Sequence, residues 1–580
     1  MINILWPFSP CILILGSLYF STVIICDIIA HHFKLIFMTM KHPSPRFGFL
    51  ICLFLISCAV RQPEIPQRLE PIINVGLLWG QESIEFSVQR TFQITSHDGS
   101  FIATEMKGKR WRIEVKESIP NKVFYLLAAA SLNNLEKTNT VAEEIAKKGF
   151  YTFIQPTGEK YFIGNQVIKD TRSFRVCLQE AFVSREEAEA YRDSIREKLE
   201  TFVIEKEVQK SQGTIVLYNL ENGQQFESSR PIYIQGTEVT LYDVPVGTGF
   251  HFERNETRTY PERIGFQLDN DGKLAVINTI SLETYLQGVV PAEMPHDFPL
   301  EALKAQAVAA RSEALAKLGS VHLSDPFDIC ATVHCQSYSG LSEYDQSTNQ
   351  AVQETKGLVL WQDDKICDAV YSAVCGGHGE DNDKAWEGES KTYLQGHFDG
   401  SQQLERYGSL SNEDNINEWI DDSPNAYCNT ISDLFPEALD YTKKYFRWEV
   451  QYTQQELMET LKKKIEWEGG EILDLVPLER GASGRIIRLQ IIGTAGQYTI
   501  NRELAIRQAL ALNTLWSSCF YVTKKEAVNG IPGLFTITGA GFGHGVGMCQ
   551  TGAAVMALLG NRYDTILKHY YQDIQIKRLY

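Results

Sequence analysis

The first residue with the makings of chemistry is an acid. Glu293 lies in Gly288-Val-Val-Pro-Ala-Glu-Met-Pro-His-Asp-Phe298, fenced by Pro291 and Pro295. Proline fixes its own φ and restricts the backbone beside it, which puts the carboxylate on a short, stiff connection. An alanine-rich helix, predicted over Leu300 to Leu318, follows directly. Val289, Val290, Met294 and Phe298 around it are apolar, and apolar surroundings raise a carboxyl pKa toward the range a general acid needs. A loop glutamate without a role reads the same way at this level. A second island is Gly539-Ala-Gly-Phe-Gly-His-Gly-Val-Gly547, with glycine at alternate positions. Extended, it would leave one face bare for close approach and place Phe542, His544 and Val546 on the other. It lacks the Gly-Lys-Ser/Thr of a phosphate loop and the spacing of a dinucleotide fingerprint. A third island, His322, Cys330, His334 and Cys335, reads His-x7-Cys-x3-His-Cys. Two imidazoles and two thiols suit a closed, structural, tetrahedral zinc. The competing reading is oxidation, with Cys330 or Cys335 paired to Cys367, to Cys375 or to each other.

The elements that must position these islands are mixed. Short period-two runs (Ile73–Leu78, Ile84–Val88, Phe92–Ile94, Trp111–Val115) predict a β-rich region over 72–137. Residues 138–210 read as helix, strand, strand, helix, with a capping box at Ser184-Arg-Glu-Glu187. From 211 to 580 further strands lead into the Glu293 segment, and a polar, loop-rich insertion occupies 380–440. The fold class expected is α+β and multi-domain.

The chain of 580 residues carries a net charge of −17, which argues against a nucleic-acid partner. Of its twelve cysteines, seven fall between Cys330 and Cys549. Residues 40–58 read as an export signal: Lys41 and Arg46, an apolar run, then Leu55-Ile56-Ser57-Cys58. That ending is similar to a bacterial lipobox, in which Cys58 is lipidated. Residues 1–39 would then be a mis-called start or an extra apolar anchor, and 59–71 a proline-rich tether. The body is expected outside the cytoplasm, as a membrane-anchored lipoprotein facing the periplasm or cell wall.

Several long motifs in order resemble the SpoIID/LytB family: Tyr285-Leu-Gln-Gly-Val-Val-Pro-Ala-Glu-Met-Pro295, Ala302-Leu-Lys-Ala-Gln-Ala-Val-Ala-Ala-Arg-Ser312, Gly541-Phe-Gly-His-Gly-Val-Gly-Met-Cys-Gln-Thr-Gly-Ala553 and Ile566-Leu-Lys-His-Tyr-Tyr571. The resemblance covers about 212 to the C-terminus. It implies a mixed α/β catalytic region with a long cleft, and a lytic transglycosylase acting on peptidoglycan glycan strands stripped of stem peptides. Such an enzyme cuts between N-acetylmuramic acid and N-acetylglucosamine and leaves 1,6-anhydromuramyl ends. By the same resemblance Glu293 is the acid/base, a zinc at the His/Cys cluster is more credible, and a cell-wall amidase is a partner. No convincing second carboxylate is apparent, whereas a hydrolytic glycosidase needs two. Tyr285, Gln306, Arg311, His544 and Gln550 are candidates for holding sugar groups; Gln306 and Arg311 suit a structural role equally. Cys375-Gly-Gly-His378 and Cys549 depart from the family pattern, and their thiols compete as ligands or pair with Cys428 or Cys519. Residues 138–210 weakly resemble glycan-binding SPOR modules, a structural spacer being the alternative. Two rival functions remain at this level: a non-catalytic glycan-binding lipoprotein, and a zinc hydrolase of wall peptides or acetyl groups.

Overall fold

The computed structural model describes residues 70–580, apart from 97–100, 107–108, 251, 402–404 and 433. The export signal, Cys58 and nearly all of the tether lie outside the described residues. No helix among the described residues is long and apolar enough to cross a membrane.

The chain is α+β with several sheets. A seven-stranded sheet runs in the order Ile329–Cys330, Ile72–Gln81, Leu274–Ser281, Arg263–Leu268, Ile232–Gln235, Phe92–Thr95, Phe101–Met106. A six-stranded sheet likewise interleaves Ser83–Val88 and Arg110–Ile119 with strands from Gln212–Asn219 onward. The regions 72–119 and 212–281, read from the sequence as separate, therefore share both sheets. Alternation explains the packing: Ile73, Val75 and Leu77 are buried while Ile72 is exposed, and Trp111, Phe86 and Phe266 fill the space between.

Residues 122–209 are inserted between those strands as a compact module. Its order is strand, helix, strand, a small hairpin, strand, helix, strand, and its antiparallel sheet runs Phe202–Gln209, Lys122–Leu132, Ser173–Phe182, Thr152–Thr157. This is the split β-α-β arrangement. Asn134 and Ser184 cap its helices by accepting the amides of Lys137 and Glu187. Lys169, on the small hairpin, donates to the carbonyls of Ala316 and Leu318 and so caps the end of the neighbouring long helix.

That helix, Leu300–Lys317, is buried nearly all round from Ala302 to Leu315, as an alanine-rich helix at the centre of a core must be. Small side chains let the helices Leu282–Glu293, Gln346–Glu354 and Gln550–Leu558 pack against it. A second core, around Trp448, Leu489 and Phe535, belongs to the C-terminal strands.

Candidate functional site

Glu293 is the last residue of the helix Leu282–Glu293, and Pro291 lies inside that helix. The expected stiff connection is thus a helix end. A proline in the last turn forfeits one backbone hydrogen bond, which costs less there than in the middle. Met294 then turns to extended backbone, as its place before Pro295 requires. Val289, Val290, Met294 and Phe298 are all buried beneath the acid.

Glu293 as a residue is half-buried. Its Oε1 accepts the Ser337 amide at 2.5 Å, and the Ser337 hydroxyl also reaches it. Burial raises its pKa from 4.5 to about 7 against the pull of those hydrogen bonds. The negative end of its own helix acts in the same direction. At neutral pH both protonation states are populated, the condition for donating a proton and then taking one back.

Two other carboxylates influence it. Glu313, one turn before the end of the long helix, is 5% exposed and bound to Lys317 at 2.6 Å. It is sealed away from any polymer. Glu343 is on the surface and bears on Glu293 through charge alone. Of the three, Glu293 is the one both partly exposed and held by a backbone amide.

The far islands converge on this point. Gln550 donates its amide to the Glu293 carbonyl at 2.8 Å, across 257 residues of sequence, and to Gln306 Oε1 at 3.3 Å. Lys317 donates to the Cys335 carbonyl at 2.7 Å, and Gln336 to the Ala310 carbonyl at 3.2 Å, so the loop delivering Ser337 is tied to the long helix. The Tyr371 hydroxyl donates to Gln336 Oε1 at 2.9 Å.

The same loop carries the His/Cys cluster. One ligand atom from each of His322, Cys330, His334 and Cys335 lies within 4.8 Å of the others. His322 Nδ1 is 2.7 Å from Asp325 Oδ2, while its Nε2 is buried with no partner. A carboxylate on one ring nitrogen and an orphaned nitrogen on the other is how a metal-binding histidine is prepared. His322 also holds a φ of 52°, an uncommon backbone for a non-glycine residue. The residues fit zinc. All eight described cysteines are free.

Residues 270–361 match the family model described as Stage II sporulation protein. The Stage II sporulation protein D of Bacillus subtilis is 28% identical over 312 residues, covering 52% of this chain and 75% of that one. This is a SpoIID-family protein. The SpoIID chain is also similar to the amidase enhancer of Bacillus subtilis, 28% identical over 298 residues, or 49% of this chain and 39% of that larger one. An uncharacterized protein of Brachyspira hyodysenteriae is 29% identical over 306 residues, covering 52% and 68% respectively. Residues 380–547, which include the polar insertion, match a second model described as a domain of unknown function, DUF8618.

Not every candidate of this SpoIID chain reaches the surface near Glu293. Tyr285 is fully buried, its ring 4.9 Å from that of Tyr338, so it cannot touch a sugar. Arg311, also fully buried, makes a bidentate pair with Glu283 at 2.8 and 2.6 Å and donates to the carbonyls of Ala307, Leu358 and Val352. Gln306 is buried as the acceptor for Gln550. These three are structural, and Gln550 positions the acid. His544 is half-buried, 4.8 Å from the ring of Trp386. Its Nδ1 accepts the Val546 amide at 3.0 Å and burial lowers its pKa to about 3, so it is neutral at working pH. The glycine-rich loop is not extended: Gly541, Gly543, Gly545 and Gly547 all take positive φ. A Cβ on Gly545 would lie 2.5 Å from the Arg485 guanidinium, and one on Gly547 would lie 2.1 Å from the Val370 carbonyl. The loop is glycine for backbone shape and for close approach. Nothing in the sequence marks Tyr371 as a site residue; the fold buries its hydroxyl where the charges of Glu293 and Glu313 bear on it.

Proposed function

We propose that this SpoIID-family protein is a lytic transglycosylase acting on peptidoglycan glycan strands stripped of their stem peptides, in remodelling of the cell wall. The observation that carries the reading is one acid tuned for proton transfer: Glu293 is partly exposed with a pKa of about 7, while Glu313 is sealed against Lys317 and Glu343 bears on Glu293 through charge alone. A hydrolytic glycosidase places two carboxylates about the bond. One suffices when water is not a reactant.

Protonated Glu293 gives its proton to the glycosidic oxygen as the bond from C1 of N-acetylmuramic acid breaks. The C6 hydroxyl oxygen of the same sugar bonds to C1, and its proton passes to the Glu293 carboxylate. The acid is regenerated, a 1,6-anhydro ring closes, and no water is consumed. Ser337 fixes the carboxylate through its amide, and Gln550 fixes the backbone that bears it. The exposed rings of Trp386 beside His544, and of Tyr441 beside Phe298, offer faces for pyranose rings. Incubating the full chain with stripped strands and weighing the products tests the reading. Strands that are bound yet left intact would make the protein a scaffold, and new amino or carboxyl termini would make it a hydrolase of wall peptides.

The pH profile is a second check. The acid must begin protonated, so activity is expected to fall as pH rises through about 7, the pKa of Glu293. Stability shifts the same way. Ionisation of Glu293 is harder in the folded state than in the unfolded chain, so this group takes away stability as pH rises from about 4.5 to 7, a contribution that Glu293→Gln lacks. Equal pH dependence of the two proteins in denaturation would contradict the assignment.

The His322, Cys330, His334, Cys335 set would hold a structural zinc, which when bound supplies cross-linking without an open coordination position. Its purpose here is placement: Cys335 is two residues before Ser337. His334→Ala is expected to lose one zinc per chain by elemental analysis. Activity should drop by up to about a hundredfold, which displacing a catalytic group by about 1 Å can cost. Full zinc content in the variant would remove His334 from the site. An exported protein, tethered to a membrane through Cys58 and working with a cell-wall amidase, completes the proposal; the amidase enhancer among its relatives supports that partnership.

A further inference from the structure

We infer that Cys375, Asp399, Cys428 and Cys549 form a second structural metal site, built for a single zinc ion. One ligand atom from each lies within 4.8 Å of the others, and all four residues are buried, none more than 4% exposed. Cys375 Sγ is 3.4 Å from Cys428 Sγ and 3.2 Å from Asp399 Oδ2. A tetrahedron with zinc–sulfur bonds of about 2.3 Å has edges of about 3.8 Å. The four atoms therefore already stand close to that figure, too tightly for an iron–sulfur cluster and too far for a sulfur–sulfur bond of about 2.05 Å. Oxidation would also consume two of the three thiols and strand the third beside a buried carboxylate.

The surroundings are those of a metal site. Asp399 Oδ1 accepts the Tyr570 hydroxyl at 2.8 Å and lies 3.4 Å from His569 Nε2, which leaves Oδ2 aimed at the sulfurs. Cys549 Sγ accepts two backbone amides, from Cys375 at 3.2 Å and Gly552 at 3.4 Å, the kind of outer contact that steadies a thiolate. Three thiolates and a carboxylate exceed the charge of a dication by two. Arg485 and Arg447 donate to the carbonyls of Cys375 and Gly376, placing two guanidinium groups beside the site. Three soft ligands and one hard one in a closed tetrahedral set select zinc over magnesium or calcium.

The four ligands come from distant stretches: the turn at Cys375-Gly-Gly, the polar insertion (Asp399 and Cys428) and the start of the helix Gln550–Leu558. A metal here would fasten the insertion to the body. It would also anchor the residue just before Gln550, whose amide holds the Glu293 carbonyl.

Elemental analysis of the purified full chain, with the oxidation state of its cysteines mapped without reductant, tests the inference. The expected result is two zinc ions per chain and no disulfide, falling to one in Cys375→Ser/Cys428→Ser. If that variant does not fold, His334→Ala decides, because His334 is exposed and distant from these residues in sequence. Two zinc ions in the native chain, with at least one kept in His334→Ala, support the second site, and a native chain holding a single zinc overturns it. No zinc left in His334→Ala, or a disulfide among Cys375, Cys428 and Cys549 in the native chain, also overturns it.

Discussion

Glu293→Gln is expected to abolish the formation of anhydromuramyl ends, lowering the rate by at least about 10³-fold, within the range that proton transfer by a positioned group contributes. The variant should fold. Glutamine has the same shape, and its carbonyl oxygen can still accept the Ser337 amide that now meets Oε1. The Glu293 main-chain carbonyl keeps its hydrogen bond from Gln550. What is lost is the proton alone, since an amide can neither deliver one to the leaving oxygen nor take one from the attacking hydroxyl. Glycan binding should be nearly unchanged, which separates a chemical loss from a structural one. Undiminished turnover by the variant would remove Glu293 from the chemistry, whatever the family of the chain.

The largest effect on stability is expected at Arg311→Met. Arg311 and Glu283 form a bidentate pair, both deeply buried. Glu283 also accepts the amide of Gly357 and the hydroxyl of Tyr580. Removing the guanidinium leaves a carboxylate with neutral partners in a dry core and takes donors away from the carbonyls of Leu358 and Val352. Breaking one side of such a pair costs about 3–5 kcal/mol, whereas replacing both partners with apolar residues can be close to neutral. Denaturation of Arg311→Met and of Arg311→Met/Glu283→Leu measures both. A double variant as unstable as the single one would show that the carbonyl contacts of Arg311, not its charge pairing, hold these helices together.

These residues also show what could be read from the sequence. Glu293 was legible because prolines and apolar neighbours announce a rigid, desolvated acid, although they did not reveal that the acid ends a helix. The strands from Ile72 onward were legible from alternation. Their union with Leu274–Ser281 was not, because a period of two fixes which face is buried and says nothing about the partner. Arg311 and Gln306 were ambiguous for a physical reason: an alanine-rich helix buried all round has no polar face to mark which polar residues point to solvent. The His322–Cys335 set is local and was visible as spacing. By contrast Cys375 lies 24, 53 and 174 residues from Asp399, Cys428 and Cys549, and only the fold brings these four together.

The central claim is that one acid cleaves the glycan without water. Digesting amidase-stripped strands with the full chain in heavy-oxygen water, followed by mass spectrometry, tests it most directly. The expected products end in 1,6-anhydromuramic acid and carry no heavy oxygen. Reducing ends that have taken up one heavy oxygen per cut would mean that water attacks, and that a second carboxylate takes part.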